Sequence, residues 1–442
     1  MDGTLGTADL EQLRKDFTAS AVYRLAQNAV TRVTVDDVAI NREILNSIDH
    51  SFSTTLDDWK VTNQEHSGRC WLFAGLNLLR VGVMRRTGLK EFEFSQNHAM
   101  FWDKIERANY FLEAIIETAN RDLDDRTVAF LLETVASDGG QWNMFAALVA
   151  KHGLVPKGCM PETQSSSNTA RMNSILQYQL RQGARAVRAA AVESIDAARA
   201  VKADILKVIY RVLCIHLGTP PESFDWQWTD KDKQFHRDGV LTPQEFAARY
   251  VELPVADYVC LVHDPRPASP TGRTFTVEYL GNVVGAPPVT YLNVDIAVIK
   301  DLAARTIQGG EPVWFGCDVG KMMSNDFAIW DVALYDLPSL YDAQFQLDKA
   351  ARLACHETQM THAMLFTGVD VLNGATRRWR VENSWGPEHG KDGFYTMHDS
   401  WFDEYVFEIA VRRDALPAAL GKALDAEPIV LPAWDPMGAL AR

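Results

Sequence analysis

Residues 64–79 read QEHSGRCWLFAGLNLL. A polar run with Gly68 gives way to an apolar, helix-period run: Trp71, Leu72, Phe73, Leu76, Leu78 and Leu79. Cys70 stands where loop becomes helix. The first N–H groups of a helix are unpaired, and its positive dipole end favours thiolate over thiol, so the pattern marks Cys70 as a candidate nucleophile. Gln64, six residues upstream, can turn its side-chain amide back toward the thiol. Paired with the Cys70 backbone N–H, it would form an oxyanion hole. The plain alternative is a packed core cysteine.

The rest of the composition bounds the class. The chain has 442 residues, 47% hydrophobic and 23% charged, and so has room for two or more packed lobes. Its formal net charge of -14 argues against a general nucleic-acid surface, which needs clustered Lys and Arg. Arg181, Arg185 and Arg188 read as the solvated face of one helix. The six cysteines, Cys70, Cys159, Cys214, Cys260, Cys317 and Cys355, form no CxxC unit, which speaks against a zinc knuckle or thioredoxin-type site. The first residues are polar and lack a signal core, and no run reaches membrane-spanning length. A reducing, cytoplasmic setting without membrane association is expected.

Along the chain, residues 9–32 read as an amphipathic helix and turn, 33–42 as holding a short strand, and 46–59 as polar loop. The Cys70 helix should stop near Gly88, after Arg85 and Arg86. Residues 94–120 read as a long helix whose aromatics pack inward and whose Asp103, Lys104, Glu106 and Arg107 form the polar face. Gly139 and Gly140 open the way for close backbone approach, a place for an extended peptide or an ordinary tight turn. Residues 170–217 read as two helices broken near 188–192. Asp238-Gly239 is a turn signal, and Thr242-Pro243-Gln244-Glu245 opens a capped helix. From Tyr258 onward, short runs of Val, Phe, Tyr and Trp predict an antiparallel sheet or barrel. A helical half followed by a β-rich half places a cleft between two lobes.

The β half carries the partners a thiol needs. His362 begins an apolar strand-like run. Asn383 ends another, followed by Ser384, Trp385 and Gly386. An imidazole can take the thiol proton and return it to a leaving amine. An Asn carbonyl oxygen can fix its tautomer, and Trp385 can shield that bond from water. His356-Glu357 followed by His362 is a poor HExxH, because the histidines are six residues apart rather than four.

These motifs resemble those of papain-like cysteine peptidases, specifically the bleomycin hydrolase and aminopeptidase C family. The similarity runs through Thr62-Asn63-Gln64, Ser67-Gly68-Arg69-Cys70-Trp71, Phe101-Trp102-Asp103-Lys104, Asp138-Gly139-Gly140-Gln141-Trp142, Met360-Thr361-His362-Ala363-Met364 and Glu382-Asn383-Ser384-Trp385-Gly386. It implies an α+β, papain-like two-lobe fold. In it, Cys70 is the nucleophile, His362 the general base and acid, Asn383 the orienter and Gln64 the oxyanion donor, with Gly139 and Gly140 lining the substrate site. Ser67 replaces a cysteine that secreted relatives bridge, again suiting a reducing compartment. His362 follows Cys70 by 292 residues (362 − 70), against roughly 130–150 in simple papain-like chains. The surplus is a helical insertion, which in the family helps to build a homohexamer.

The expected organisation is an N-terminal extension over 1–60, a helical lobe over 61–168, an insertion over 169–255, a β-rich lobe over 256–420 and an arm over 421–442. Residues 431–442 are apolar, Pro-punctuated and not expected to be helical. In the family such an arm lies in its own active site and meets the substrate's α-ammonium with a carboxylate. Some members remove their last residue, here Arg442, which would leave Ala441 terminal. The expectation is a cysteine aminopeptidase of broad specificity on peptides, bleomycin-like amides included, without metal or cofactor. An endopeptidase and a catalytically silent scaffold are the alternatives.

Overall fold

The computed structural model describes residues 3–56 and 59–442. Residues 1 and 2 of the expected extension, and 57 and 58 of the expected loop, lie outside the described residues. The single helix expected over 9–32 is two, α1 (Thr7–Ala19) and α2 (Ala21–Val30). Ser20 divides them, because its hydroxyl accepts the Tyr23 N–H and so caps the second helix. The strand expected over 33–42 is instead the short helix α3 (Val35–Ala39). It is capped by Thr34 and carries Asp36 and Asp37 at its positive end.

The Cys70 segment forms α4 (Cys70–Thr87), ending at Gly88 with φ 66°. Only glycine takes that left-handed turn without strain. The helix is buried nearly all round, including Asn77 and Arg80. Helix α5 (Gln96–Glu117) follows, capped by Ser95, and then α6 (Trp142–His152). Residues 169–255 open with α7 (Ala170–Ala191) and α8 (Ile195–Leu217), with Ser194 capping the second. Arg181 and Arg185 stand exposed, as expected of a solvated face, while Arg188 is half-buried. Arg181 donates to the Leu132 and Glu133 carbonyls, and Arg188 to those of Thr118 and Arg121. A hairpin follows, β1 (Phe224–Thr229) and β2 (Phe235–Leu241). Its turn is not at Asp238-Gly239. Asp230 makes it by accepting the Asp232 and Gln234 N–H groups, while Gly239 lies inside β2 beside a bulge. Helix α9 (Pro243–Tyr250) has the expected Thr242–Glu245 capping box.

The β-rich half contributes β3 (Tyr258–Val262), helix α10 (Ile296–Gln308), β4 (Val313–Cys317), β5 (His362–Leu372), β6 (Ala375–Glu382), β7 (Phe394–His398) and β8 (Val406–Arg412). Their spatial order is β3-β8-β4-β5-β6-β7, antiparallel throughout, within a mixed sheet of twelve strands among the described residues. One hydrophobic core joins α4, α5 and α6 to one side of this sheet through Trp71, Trp142 and Trp314. A second packs Ile299, Leu302 and Ile307 of α10 against Phe315, Phe366 and Phe402. Helix α4 runs beside β4 and β5, so its N-terminus meets the start of β5.

The arm does not fray. Residues Ile429–Leu431 pair with Thr274–Val277, and Pro436–Ala441 winds into a 3-10 turn rather than staying extended. Asp435 caps that turn through the Met437 N–H and is bound by Arg266 at 2.9 Å. Pro436, Met437, Gly438, Ala439 and Leu440 are buried.

Candidate active site

Cys70 is the first residue of α4 and is buried. The loop before it is held from three sides. Arg69 donates to both oxygens of Glu162, at 3.1 and 2.8 Å, and to the Ser67 hydroxyl. The Gly68 N–H donates to Asp138 Oδ2. Gln64 bridges the two halves of the chain. Its N–H donates to the Ser384 carbonyl, its Oε1 accepts the Ser384 hydroxyl at 2.7 Å, and its Nε2 donates to the Ser67 carbonyl at 2.5 Å. A carbonyl can only accept, so the amide nitrogen is the end facing the Cys70 loop.

His362 opens β5 opposite Cys317 of β4. Its Nε2 lies 2.9 Å from Asn383 Oδ1, which also accepts the Ser384 N–H at 2.8 Å. With Nε2 donating to that oxygen, the other ring nitrogen is left for the thiol. The Trp385 ring sits 5.1 Å from the imidazole, tilted by 40°. The N–H groups of Ala363, Trp71 and Cys70 itself act on the thiol, so Cys70 lies beside the residue that follows His362.

Electrostatics at the pair differ from the thiolate that the helix dipole predicts. Burial pushes the Cys70 thiol up to about 11, outweighing the three N–H groups that stabilise the anion. Burial also pulls His362 down to about 4, against the stabilising bond from Asn383. A helix end is worth roughly 1 kcal/mol, while desolvation of a buried ion costs several. Burial thus favours the neutral form of each group.

A second layer ties the pair together. Arg80 of α4 and Glu382, next to Asn383, form a buried ion pair at 2.7 Å. Asn77 and Trp59 also donate to that carboxylate. This bundle fixes the cysteine helix against the asparagine strand.

The Asp138–Gly140 loop closes the other side. The Trp71 indole donates to the Asp138 carbonyl at 2.7 Å, and a Cβ at Gly140 would stand 2.5 Å from the Trp71 ring. A Cβ at Gly139 would strike the Leu440 carbonyl of the arm. The Asp138 carboxylate pairs with Lys104 at 2.6 Å and accepts from Thr169 and Asn173. Lys104 holds that carboxyl well below the usual range, although burial opposes it. The expected polar face of α5 is thus wrong. Asp103, Lys104 and Glu106 are buried, and they serve the loop and the neighbouring helix instead of water. The partly exposed face of α5 runs instead through Trp102, Ile105, Asn109, Glu113 and Glu117. The weak HExxH also dissolves: His356 lies outside the preceding helix with φ 59°, and His362 is in a strand.

The sequence profile of the Peptidase C1-like family matches residues 4–438. The chain belongs to that family. This peptidase is 43% identical to aminopeptidase C of Listeria innocua over 422 residues, 96% of this chain and 92% of that one. It is 41% identical to bleomycin hydrolase of Homo sapiens, with 99% of each chain covered. The crystal structure of PepW from Lactobacillus rhamnosis superposes with a TM-score of 0.97 at 41% identity, covering 99% of both chains. The α+β, papain-like fold expected from the motifs holds. By homology over almost its full length, this peptidase is a cysteine peptidase of the aminopeptidase C and bleomycin hydrolase type.

Proposed function

We propose that this peptidase removes N-terminal residues from peptides with broad specificity, bleomycin-like amides included, through a thioester on Cys70. The free nitrogen of His362 takes the thiol proton as sulfur attacks the scissile carbonyl. Burial favours the neutral form of each group, and on that reading the proton moves with the attack. The Gln64 Nε2–H and Cys70 N–H stabilise the tetrahedral oxyanion. His362 then protonates the leaving amine. Water adds to the thioester, giving the carboxylic acid and restoring the thiol. Asn383 holds the imidazole, and Trp385 keeps water from that bond.

The observation that carries the aminopeptidase reading is the arm: Leu440 and Arg442 lie against Gly139, in the loop that packs on Trp71. An arm there fills the side of the cleft where residues upstream of the scissile bond would bind. Its terminal carboxylate, at Ala441 once Arg442 is removed, selects a free α-amine. We place the enzyme in a reducing, cytoplasmic compartment as a homohexamer, a reading supported by six unpaired cysteines and the family's assembly.

The test is hydrolysis of an aminoacyl-coumarin with a free α-amine beside its N-acetylated twin, under reducing conditions, for wild type and Cys70→Ala. Turnover of the free-amine substrate alone, abolished in Cys70→Ala, is expected. Cleavage of both points to an endopeptidase, and no Cys70-dependent turnover to a silent scaffold. Intact masses of the same two preparations show whether Arg442 leaves only when the thiol is present.

A further inference from the structure

Arg107 joins helix α5, the Gly139 loop and the arm through a single side chain. Its Nε donates to Asp103 Oδ2 at 2.7 Å, one helical turn back. Its Nη2 donates to the Gly139 carbonyl, and its Nη1 to the Ala441 carbonyl at 3.3 Å. The guanidinium carbon stands 5.7 Å from the centre of the Trp71 ring. Asp103 cannot swing away, because its second oxygen accepts from Asn282 Nδ2 at 2.9 Å. Both side chains are nearly excluded from water, at 10% and 2% exposure. One edge of the guanidinium is therefore fixed on a rigid helix, and the other is divided between loop and arm.

We propose that Arg107 is a positioning residue that sets how far the arm reaches into the cleft, and that it binds the arm most tightly in a chain ending at Ala441. The inference rests on the arm-gated reading above. A carbonyl at 3.3 Å is a weak partner. In a chain ending at Ala441 the atom in that place belongs to a carboxylate, and the bond becomes charge-assisted. One oxygen is then held by Arg107, and the other is left to face a substrate ammonium. Asp103 already balances Arg107, so the arm carboxylate adds one net negative charge, and Arg107 sets where that charge is presented.

The experiment uses chains encoded to end at Arg442, at Ala441 and at Leu431, each with Arg107 or Arg107→Gln. The readout is the ratio of kcat/KM for the free-amine and N-acetylated coumarin substrates. Asp103→Asn/Arg107→Gln keeps the buried site neutral in case the single variant folds poorly, and Arg107→Lys tests whether charge alone suffices. A general loss of structure lowers both rates together and leaves the ratio unmoved. The expected result is a ratio that falls roughly tenfold or more on Arg107→Gln in the chain ending at Ala441. The fall should be smaller in the chain encoded to Arg442 only if intact mass shows that residue retained, equal if it has been removed, and partly restored by Arg107→Lys. If ending the chain at Leu431 abolishes the preference while Arg107→Gln leaves it intact in both longer chains, the role of Arg107 is overturned and arm gating stands. If ending at Leu431 leaves the preference intact, the arm-gated reading falls, and this inference with it.

Discussion

At the scale of single residues, Cys70 and His362 were legible because their chemistry is local: a thiol at a loop-to-helix junction and an imidazole at a strand start. Their charge state was not. It depends on how deeply two lobes distant in sequence bury them, and no window around Cys70 encodes that. The thiol at about 11 and the imidazole at about 4 leave little thiolate at neutral pH. Alkylation of Cys70 by iodoacetamide should then climb about tenfold per pH unit from pH 7 to 10, since only the thiolate reacts. Mass-spectrometric labelling, with the other cysteines resolved by peptide, gives the rate. A plateau across pH 5–9 would mean a preformed thiolate–imidazolium pair and would overturn the neutral resting state.

At the scale of elements, Gly88 and the Thr242–Glu245 box marked their helix boundaries correctly, because caps act through bonds to neighbours three or four residues away. The polar residues of α5 misled for the opposite reason. Their partners, Asp138, His152 and Asn282, come from elsewhere in the chain, so a charged run looks solvated until the tertiary contacts are known. The Lys104–Asp138 pair joins α5, the loop before Cys70 and the first turn of α7. Removing one partner of a buried pair strands the other charge, at a cost of about 3–5 kcal/mol. Lys104→Met should lose that much in urea unfolding and lower kcat, because Asp138 would no longer hold Gly68. Lys104→Met/Asp138→Asn should regain part of the stability without regaining kcat. Equal stability of Lys104→Met and wild type would refute the anchoring role.

At the scale of the molecule, the surface poses the remaining question. Helices α1 and α2 bury no residue, yet Leu13, Val22 and Leu25 stand 58, 63 and 70% exposed. On the insertion, Tyr178, Val192 and Ile215 are 67, 87 and 74% exposed. Single exposed apolar residues are common on any surface, and Val192 and Ile215 stand near opposite ends of the α7–α8 pair, so these side chains are candidates for contacts rather than one patch. Helix periodicity cannot tell an apolar residue that meets a second chain from one that meets its own core, so the assembly enters only through the family resemblance. A closed assembly in which some of these residues meet a neighbouring copy suits the proposed homohexamer, since rings need heterologous or two-fold contacts that repeat without loose ends. Light scattering on the eluting peak should give six times the 49.5 kDa chain, about 297 kDa. Leu13→Glu/Leu25→Glu and Val192→Glu/Ile215→Glu should each yield smaller species with unchanged far-ultraviolet circular dichroism, since no buried contact within the chain is touched. If wild type elutes as a 49.5 kDa monomer at micromolar concentration, the assembly reading is wrong and these helices need another partner. If only the insertion variant dissociates, the N-terminal helices stand outside the ring contacts, and their apolar faces serve some other surface.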